Sequence, residues 1–489
     1  MSFSNADLQF NDINYIAYLN KNWDIYIAYL WYNDINYNAD LRNGVVSMFK
    51  RKIYEDILDW KNTSDGRTAL LVEGPRRVGK STIVKKFAQN EYKSYILIDF
   101  AFAPDHIYDL FKDINDLDYL FLQLQLQYGV DLHERESVII FDEVQFNKYA
   151  KQAIKKLVED GRYDYIETGS LISINKNVAD ILIPSEERKI EMFPMDFEEF
   201  LWAIGEDHIN NLLEKIFASK NPLGDAQNRN MMRLFRLYIL VGGMPQAIKA
   251  YIESNNFRIV DQVKRDIINL YDDDFYKIDP SGKISLLFDS VPAELARASS
   301  RYQVSSVIKN ARASDLLEEI SELKASKTVL IAYNANDPGV GLSGNINLDK
   351  FKVYLADTGL MVTLMFKDRD FTDNIIYKKI LSDKLSSNLG MVYENIVAQT
   401  FAAKGYKLFY HSYYDKDSKR TYEVDFLLSQ SSKISPIEVK SSNYRKHRSL
   451  DEFSKKYSKQ IANKYVVHNK DFKKEKDVLY LPFYMAQFL

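Results

Sequence analysis

Beyond residue 47 the chain alternates short apolar runs with amphipathic stretches. Residues 69–73 are apolar over strand length and lead through a glycine-containing turn into helical spacing over 82–90. Residues 95–100, 138–141 and 163–170 repeat the strand signal. The uninterrupted Val138-Ile139-Ile140-Phe141 suits a strand covered on both faces of a parallel sheet. This strand–helix alternation predicts an α/β core over 48–205 with its ligand at the strand C-termini. Over 206–280 the period changes, with Leu213, Ile216, Phe217, Phe235 and Tyr238 at helical spacing, and predicts a helical lid. Over 281–365, helices at 304–311 and 313–324 precede strand-like runs at 328–333 and 352–355. A glycine-rich stretch at 337–344 separates these runs, and the order is that of a winged helix. Residues 366–489 carry a helix over 390–398 and strands at 407–411, 422–428 and 436–440.

The first 43 residues behave differently. Asn11-Asp12-Ile13-Asn14-Tyr15 returns as Asn22-Trp23-Asp24-Ile25-Tyr26 and as Asn33-Asp34-Ile35-Asn36-Tyr37, a period of eleven. Three such units are too few to bury a core, so residues 1–47 are expected to lie outside the fold, with Met48 a natural start for the rest. The 489 residues suit several domains, and 46% hydrophobic with 27% charged residues is a globular composition. A net charge of -3 gives no chain-wide attraction to nucleic acid or membrane. The absence of cysteine excludes disulfides, thiolate metal sites and cysteine nucleophiles, and fits a cytoplasmic protein. Neither a signal peptide nor a bilayer-spanning run is expected.

The turn after 69–73 reads Gly74-Pro75-Arg76-Arg77-Val78-Gly79-Lys80-Ser81, followed by Thr82. Strand, G-x-x-x-x-G-K-S and helix together define a P-loop, in which Gly74 and Gly79 let backbone N–H groups curl around phosphate oxygens. The helix beginning near Lys80 aims its positive end at the same phosphates. Lys80 reaches the β- and γ-phosphates of ATP, and the Ser81 hydroxyl ligates Mg2+. Asp142, at the end of the second apolar strand, holds the metal, and Glu143 is placed as general base toward the attacking water. Thr168 and Ser170, after 163–167, are candidates to sense the γ-phosphate, though ordinary strand-end turn residues fit equally. Arg76, Arg77, Arg162 and Arg188 are the arginines that could act as a finger; the sequence does not choose among them, and a surface role suits each. Asp272-Asp273-Asp274 reads as a solvated face or cap rather than a metal site.

Several stretches resemble a family of predicted prokaryotic AAA+-type P-loop ATPases that carry a C-terminal domain of unknown function. They are Arg51-Lys52-Ile53-Tyr54, the P-loop itself, Thr168-Gly169-Ser170, Phe193-Pro194-Met195-Asp196-Phe197-Glu198-Glu199-Phe200-Leu201 and Val241-Gly242-Gly243-Met244-Pro245. The resemblance runs over nearly everything from Met48 onward. It implies an ATPase core, a helical lid, a winged-helix-like segment and a restriction-endonuclease-like end, and no settled biological role. Ring-forming oligomers are common among AAA+-like proteins, while the lack of an evident finger leaves a monomer open.

In the C-terminal region a helix carries Glu394, one strand carries Asp425 and another carries Glu438-Val439-Lys440. Helix Glu, strand Asp, strand Glu-x-Lys is the pattern of restriction-endonuclease-like nucleases, and all four positions are kept. Glu438 and Lys440 lie two apart on a strand and face one way. Asp425 and Glu438 can share a magnesium ion, Glu394 can hold a metal-bound water, and Lys440 can orient the nucleophile. Fold does not fix activity, since the same fold serves proteins that only bind. Tyr444-Arg445-Lys446-His447-Arg448, Lys455-Lys456 and Lys473-Lys474 suit a phosphate-facing surface, although solvated lysines are the commoner explanation. Helix 313–324 is acidic (Asp315, Glu318, Glu319, Glu322), so the winged segment reads as structural rather than DNA-reading. The expectation is a cytoplasmic ATPase that couples nucleotide state to a nucleic-acid-directed, nuclease-like end. The alternative is an ATP-dependent regulatory or defence switch whose end only docks partners or DNA.

Overall fold

Buried apolar strands flanked by amphipathic helices set the architecture of the N-terminal half. The computed structural model describes residues 48–169, 185–297, 301–338, 341–369, 377, 380–381, 390–430 and 433–489. The eleven-residue repeat and Ser170 lie outside the described residues. Residues 50–489 form one compact unit, to which the following account refers.

β1 (Ala69–Glu73), β2 (Ser94–Asp99), β3 (Ser137–Asp142), β4 (Asp164–Gly169) and β5 (Glu187–Glu191) make a parallel sheet in the order β2-β3-β4-β1-β5. Every residue of β1, β3 and β4 is buried, as expected of strands with helices on both faces. The core joins Ile96, Ile98, Phe121, Leu124, Ile139, Phe141, Ile154 and Leu157. Each such side chain contributes roughly 1.5–3 kcal/mol by leaving water. β4 lies between β1 and β3, and its register brings Val72 level with Thr168 and Phe141 level with Glu167. The two motif-bearing strands and Thr168 therefore end at one edge.

Four helices follow in the middle region: Asp207–Ser219, Asp225–Val241, Pro245–Ser254 and Phe257–Ile278. The Val241–Pro245 and Phe193–Leu201 motifs meet here. The Gly243 carbonyl accepts from Met195 N (2.7 Å), and the Gly243 amide donates to the Asp357 carboxylate (2.5 Å). A Cβ on Gly243 would fall 2.2 Å from the Met195 carbonyl, so only glycine fits between them.

The expected winged helix differs in detail. Helix 304–311 is only Val304–Val307, and 313–324 is a 3-10 turn followed by Leu317–Ala325. β6 (Val329–Ala335) and β7 (Ile346–Leu355) pair as a hairpin, but β6 also pairs in parallel with β8 (Phe409–Asp415). β9 (Arg420–Val424) completes a four-stranded sheet ordered β7-β6-β8-β9. A buried strand cannot leave one row of N–H and C=O groups unpaired, so β8 satisfies the edge a free wing would expose. This sheet crosses the boundary expected at 365. The strand expected over 422–428 is two strands, because Asp425 separates β9 from β10 (Phe426–Gln430). β10, β11 (Lys433–Lys440), β12 (Lys464–His468), β13 (Lys473–Glu475) and β14 (Val478–Pro482) form a mixed sheet ordered β10-β11-β12-β14-β13. The Gly390–Ala403 helix packs on β11 and β7. Among the described residues no helix is long and apolar enough to cross a membrane.

Candidate functional site

Gly74 leaves β1 at φ +155°, where a Cβ would meet the Met192 carbonyl at 2.3 Å. Gly79 enters the Lys80–Glu91 helix at φ +103°. Between them Pro75 and Val78 are buried, Arg76 is half-buried, and Arg77 is exposed at φ 69°. The Lys80 ammonium donates to the carbonyls of Gly74 (3.0 Å) and Pro75 (3.1 Å), holding the loop closed on itself. Burial pushes the Lys80 ammonium below its ordinary value, against the pull of Glu143 and Asp142. Ser81 Oγ donates to Asp142 Oδ1 (2.7 Å), and Thr168 Oγ1 donates to the same oxygen. Thr82 is exposed on the first turn of the helix. Glu143 sits in the left-handed region (φ 51°), and Gln145 Nε2 donates to its carboxylate. The backbone N–H of Glu143 donates to Thr168 Oγ1 (3.3 Å). The geometry brings Lys80, Ser81, Asp142, Glu143 and Thr168 to one place. The hydroxyl and carboxylate oxygens that converge there are the hard donors Mg2+ takes beside phosphate.

Three of the four finger candidates are engaged elsewhere. Arg76 pairs with Asp274 (2.9 Å), Arg188 with Asp59 (3.2 Å), and Arg162 with Asp118 (2.6 Å) and Asp160 (2.8 Å). Asp272 accepts from Ser285 and Lys367. Arg51, from the first resembling motif, donates to the Val78 carbonyl (3.0 Å) and the Phe193 carbonyl (2.7 Å) and pairs with Glu199 (3.2 Å). It ties the loop to the Phe193–Leu201 motif, a role no spacing rule would have found.

The second cluster lies in the C-terminal region. Glu438 Oε1 pairs with Lys440 (2.6 Å), and Asp425 Oδ2 accepts from Val439 N (2.7 Å). Glu394 Oε1 accepts from Tyr354 (2.5 Å) and from Lys352 (2.7 Å), and Lys352 also pairs with Glu423 (2.7 Å). Burial, then the charges of Glu438 and Glu394, raise the Asp425 carboxyl well above its usual range. Burial raises Glu423 and Glu438 as well. Burial acts against the Lys352 ammonium, but Glu394, Tyr354 and Glu423 outweigh it and hold it charged. Four carboxylates thus face two ammonium groups. Among the described residues no group of three or more acids or histidines is arranged to hold a metal. The expected ligand set Glu394, Asp425 and Glu438 does not fit one as folded, because each acid already has one oxygen committed to a protein donor. Sequence reasoning missed Lys352 and Glu423. Lys352 interrupts the buried apolar run Phe351–Leu355 of β7, and a charge inside a buried run is a signal for a buried partner. Glu423 lies two before Asp425.

Residues 66–201 match the family described as AAA domain. Residues 232–370 and 389–484 match two families each described as a domain of unknown function. An uncharacterized protein of Methanocaldococcus jannaschii is 20% identical over 222 residues, 44% of each chain. An uncharacterized protein of Haemophilus influenzae is 22% identical over 188 residues, 36% of this chain and 44% of the other. The chain spans less than half the length of these curated relatives. A Walker-type ATPase of Pyrococcus abyssi aligns with a TM-score of 0.40 at 16% identity, over 65% of this chain and 96% of that one. A signal-transduction ATPase with a tetratricopeptide sensor from Pyrococcus horikoshii aligns at 0.27 and 12%, over 73% and 48%. The chain carries an AAA-type P-loop ATPase domain, which implies ATP with Mg2+ as ligands and ATP hydrolysis as reaction.

Proposed function

We propose that the protein is a Mg2+-dependent ATPase that passes nucleotide state to a nucleic-acid-directed, nuclease-like C-terminal region. The observation that carries this reading is the Phe257–Ile278 helix. At one end of it Tyr271 donates to the Arg76 carbonyl of the P-loop (3.0 Å) and Asp274 pairs with the Arg76 side chain. About 10 Å along the same helix, Lys264 donates to the Gly359 carbonyl (3.2 Å) and Asp261 accepts from Thr363 (2.9 Å). Thr358 in turn donates to Gln399 (2.8 Å), one turn from Glu394 on the Gly390–Ala403 helix. The helix touches the P-loop directly and reaches the second cluster through Gly359, Thr358 and Gln399, a contiguous path of the kind that coupling between two sites requires.

In this reading the backbone N–H groups of the Gly74–Ser81 loop bind the phosphates, and Thr82 adds to that rim. Lys80 releases its two carbonyls to reach the terminal phosphate. Mg2+, held by Ser81 and Asp142, neutralises phosphate charge when bound. Glu143 orients and deprotonates the attacking water, and Thr168 senses the phosphate through Asp142. At the other end Glu394, Asp425, Glu438 and Lys440 are the residues of the nuclease-like reading. A switch whose C-terminal region only docks partners or DNA is the second reading, and the Lys352 pairs that occupy the acids favour it.

The test is phosphate release and plasmid nicking by the full chain with Mg2+ and ATP, beside Lys80→Ala and Lys440→Ala. Nicking lost in Lys440→Ala, with ATP hydrolysis kept, supports the nuclease reading. ATP hydrolysis without nicking in any lane leaves the switch. Hydrolysis equal in Lys80→Ala and wild type sinks both.

A further inference from the structure

We propose that Arg51 is a positioning residue of the ATP site, which fixes the Val78–Gly79 peptide so that the Gly79 N–H is turned to the phosphates. The inference rests on reading the Gly74–Ser81 loop as the phosphate cradle and adds to it a residue from outside the loop. Arg51 lies two residues before the Ile53–Ser64 helix, ahead of the matched residues 66–201. It is buried, and Glu199 meets its charge at 3.2 Å. Glu199 is itself held, accepting from Lys52 N (2.7 Å) and from Asp196 N (3.2 Å) in the capping box of the Phe197–Ala203 helix. The planar fork of the anchored guanidinium then serves two backbone carbonyls. Nη1 donates to Val78 (3.0 Å) and Nη2 donates to Phe193 (2.7 Å).

The carbonyl of Val78 and the N–H of Gly79 belong to one planar trans peptide and point opposite ways. With the carbonyl held by Arg51, the Gly79 N–H faces away from the guanidinium, the fixed orientation that a cradle of backbone N–H groups needs. Glycine does not supply that fixity. Gly79 sits at φ +103°, and a residue without a Cβ lets the peptide before it turn over at little cost. Arg51 removes the freedom before the ligand arrives, so less ordering is left for binding to do. The contact is close: Met192 Cε, Arg51 Nη1 and Pro245 Cγ lie 3.6, 3.8 and 3.8 Å from the place a Cβ on Gly79 would take. The stretches around Arg51, Phe193 and Pro245 therefore meet at this one peptide.

The experiment measures binding of ATP, ADP and tripolyphosphate, and steady-state ATP hydrolysis, by the full chain beside Arg51→Met and Arg51→Lys. Arg51→Met is expected to lose roughly ten- to a hundredfold in affinity for all three ligands, the worth of one hydrogen bond to a charged group. Its kcat at saturating ATP is expected to stay within about threefold of wild type, because Arg51 is committed to the protein's own carbonyls. Arg51→Lys keeps a charge beside Glu199 but cannot fork to two carbonyls, so it is expected to recover stability in urea and not affinity. That split separates positioning from mere support of the fold, and Arg51→Lys carries the test where Arg51→Met does not fold. With carbonyl-labelled valine and nitrogen-labelled glycine, only Gly79, Gly242 and Gly341 follow a valine and give signals. ADP is expected to move the Gly79 signal in wild type and to move it far less in either variant. Affinities of folded Arg51→Lys within about threefold of wild type overturn the proposal. So does an affinity loss that the unfolded fraction accounts for, or a Gly79 signal that answers ADP in the variants as in wild type. A chain that binds tripolyphosphate with this dependence on Arg51 but hydrolyses no ATP loses the ATPase reading and keeps this one, and a chain that binds none of the three ligands loses both.

Discussion

At the P-loop, Lys80 and Ser81 are neighbours in sequence and Asp142 faces them across the sheet. The lysine there is tied to two backbone carbonyls, and the acid to two hydroxyls. In the C-terminal cluster the acids are tied to ammonium groups, and the one that bridges Glu394 and Glu423 comes from 42 residues before Glu394. Both places hold a lysine and carboxylates close together. In the first, every partner is weakly held and a phosphate with its metal can displace it. In the second, charge already meets charge. A site built for a ligand keeps its charged groups on neutral partners, and a site held shut pairs them with each other.

The largest expected effects test the first half of that contrast. Glu143→Gln should bind ATP normally and lose hydrolysis by about 10²–10⁴-fold, the range for removal of a general base. Lys80→Ala should fall by on the order of 10²-fold or more, because it removes the ammonium placed to stabilise charge on the terminal phosphate. Single-turnover phosphate release measures both. Hydrolysis by Glu143→Gln within threefold of wild type would assign the water to another residue and remove the contrast.

Next in size is the cost of breaking the closed site. Lys352→Met leaves Glu394 and Glu423, both partly exposed, without their cation, and loss of one partner from a fully buried pair typically costs about 3–5 kcal/mol, which sets the upper bound here. Urea unfolding should show that loss. A variant as stable as wild type would mean that the pair is solvated and holds nothing shut.

What could be read from the chain follows the same line. Gly74, Gly79, Lys80 and Ser81 fall within eight residues, and the strand and helix around them are local patterns, so the loop geometry was legible. Asp142 and Thr168 were legible as strand ends, because parallel strands of one sheet finish together. The quartet Glu394, Asp425, Glu438 and Lys440 was legible as a set, but Lys352 was not. Its part depends on β6 pairing with both β7 and β8, a long-range register that no local period encodes. For the same reason the hairpin was expected as a separate wing, and the break at Asp425 was read as continuous strand. Arg76 and Asp274 are 198 residues apart, and neither carries a motif that names the other.

A pH dependence sharpens the comparison along the connecting helix. Lys264 is fully buried, its ammonium donating to the carbonyls of Leu240 (2.8 Å) and Gly359 (3.2 Å), and burial pushes it down to about 8 from its ordinary 10.5. The folded value lies below the unfolded one, so the unfolded chain binds more protons between them and stability rises with pH there. The cost of the buried charge is fully present below about pH 8 and is relieved by about 3 kcal/mol as pH rises to 10.5. Taking wild type minus Lys264→Met removes the titration of the other groups. Urea midpoints from pH 7 to 10 should converge or cross upward for the wild type, and a pH-independent difference would mean that the ammonium is solvated.

The smallest effect lies where the helix meets the loop. Tyr271→Phe removes one hydrogen bond, from the tyrosine hydroxyl to the Arg76 carbonyl, and leaves the buried ring in place. A single such bond is worth about 1 kcal/mol, so global stability should fall by no more than that. The informative quantity is the difference between sites. If the helix carries nucleotide state, Tyr271→Phe should change ATP affinity about fivefold, and it should also weaken the effect of ATP on hydrogen exchange in the Gly390–Ala403 helix. ATP affinity altered fivefold, with exchange in that helix responding to ATP as before, would make Tyr271 a support of the loop alone. The two clusters would then share a chain without sharing a state.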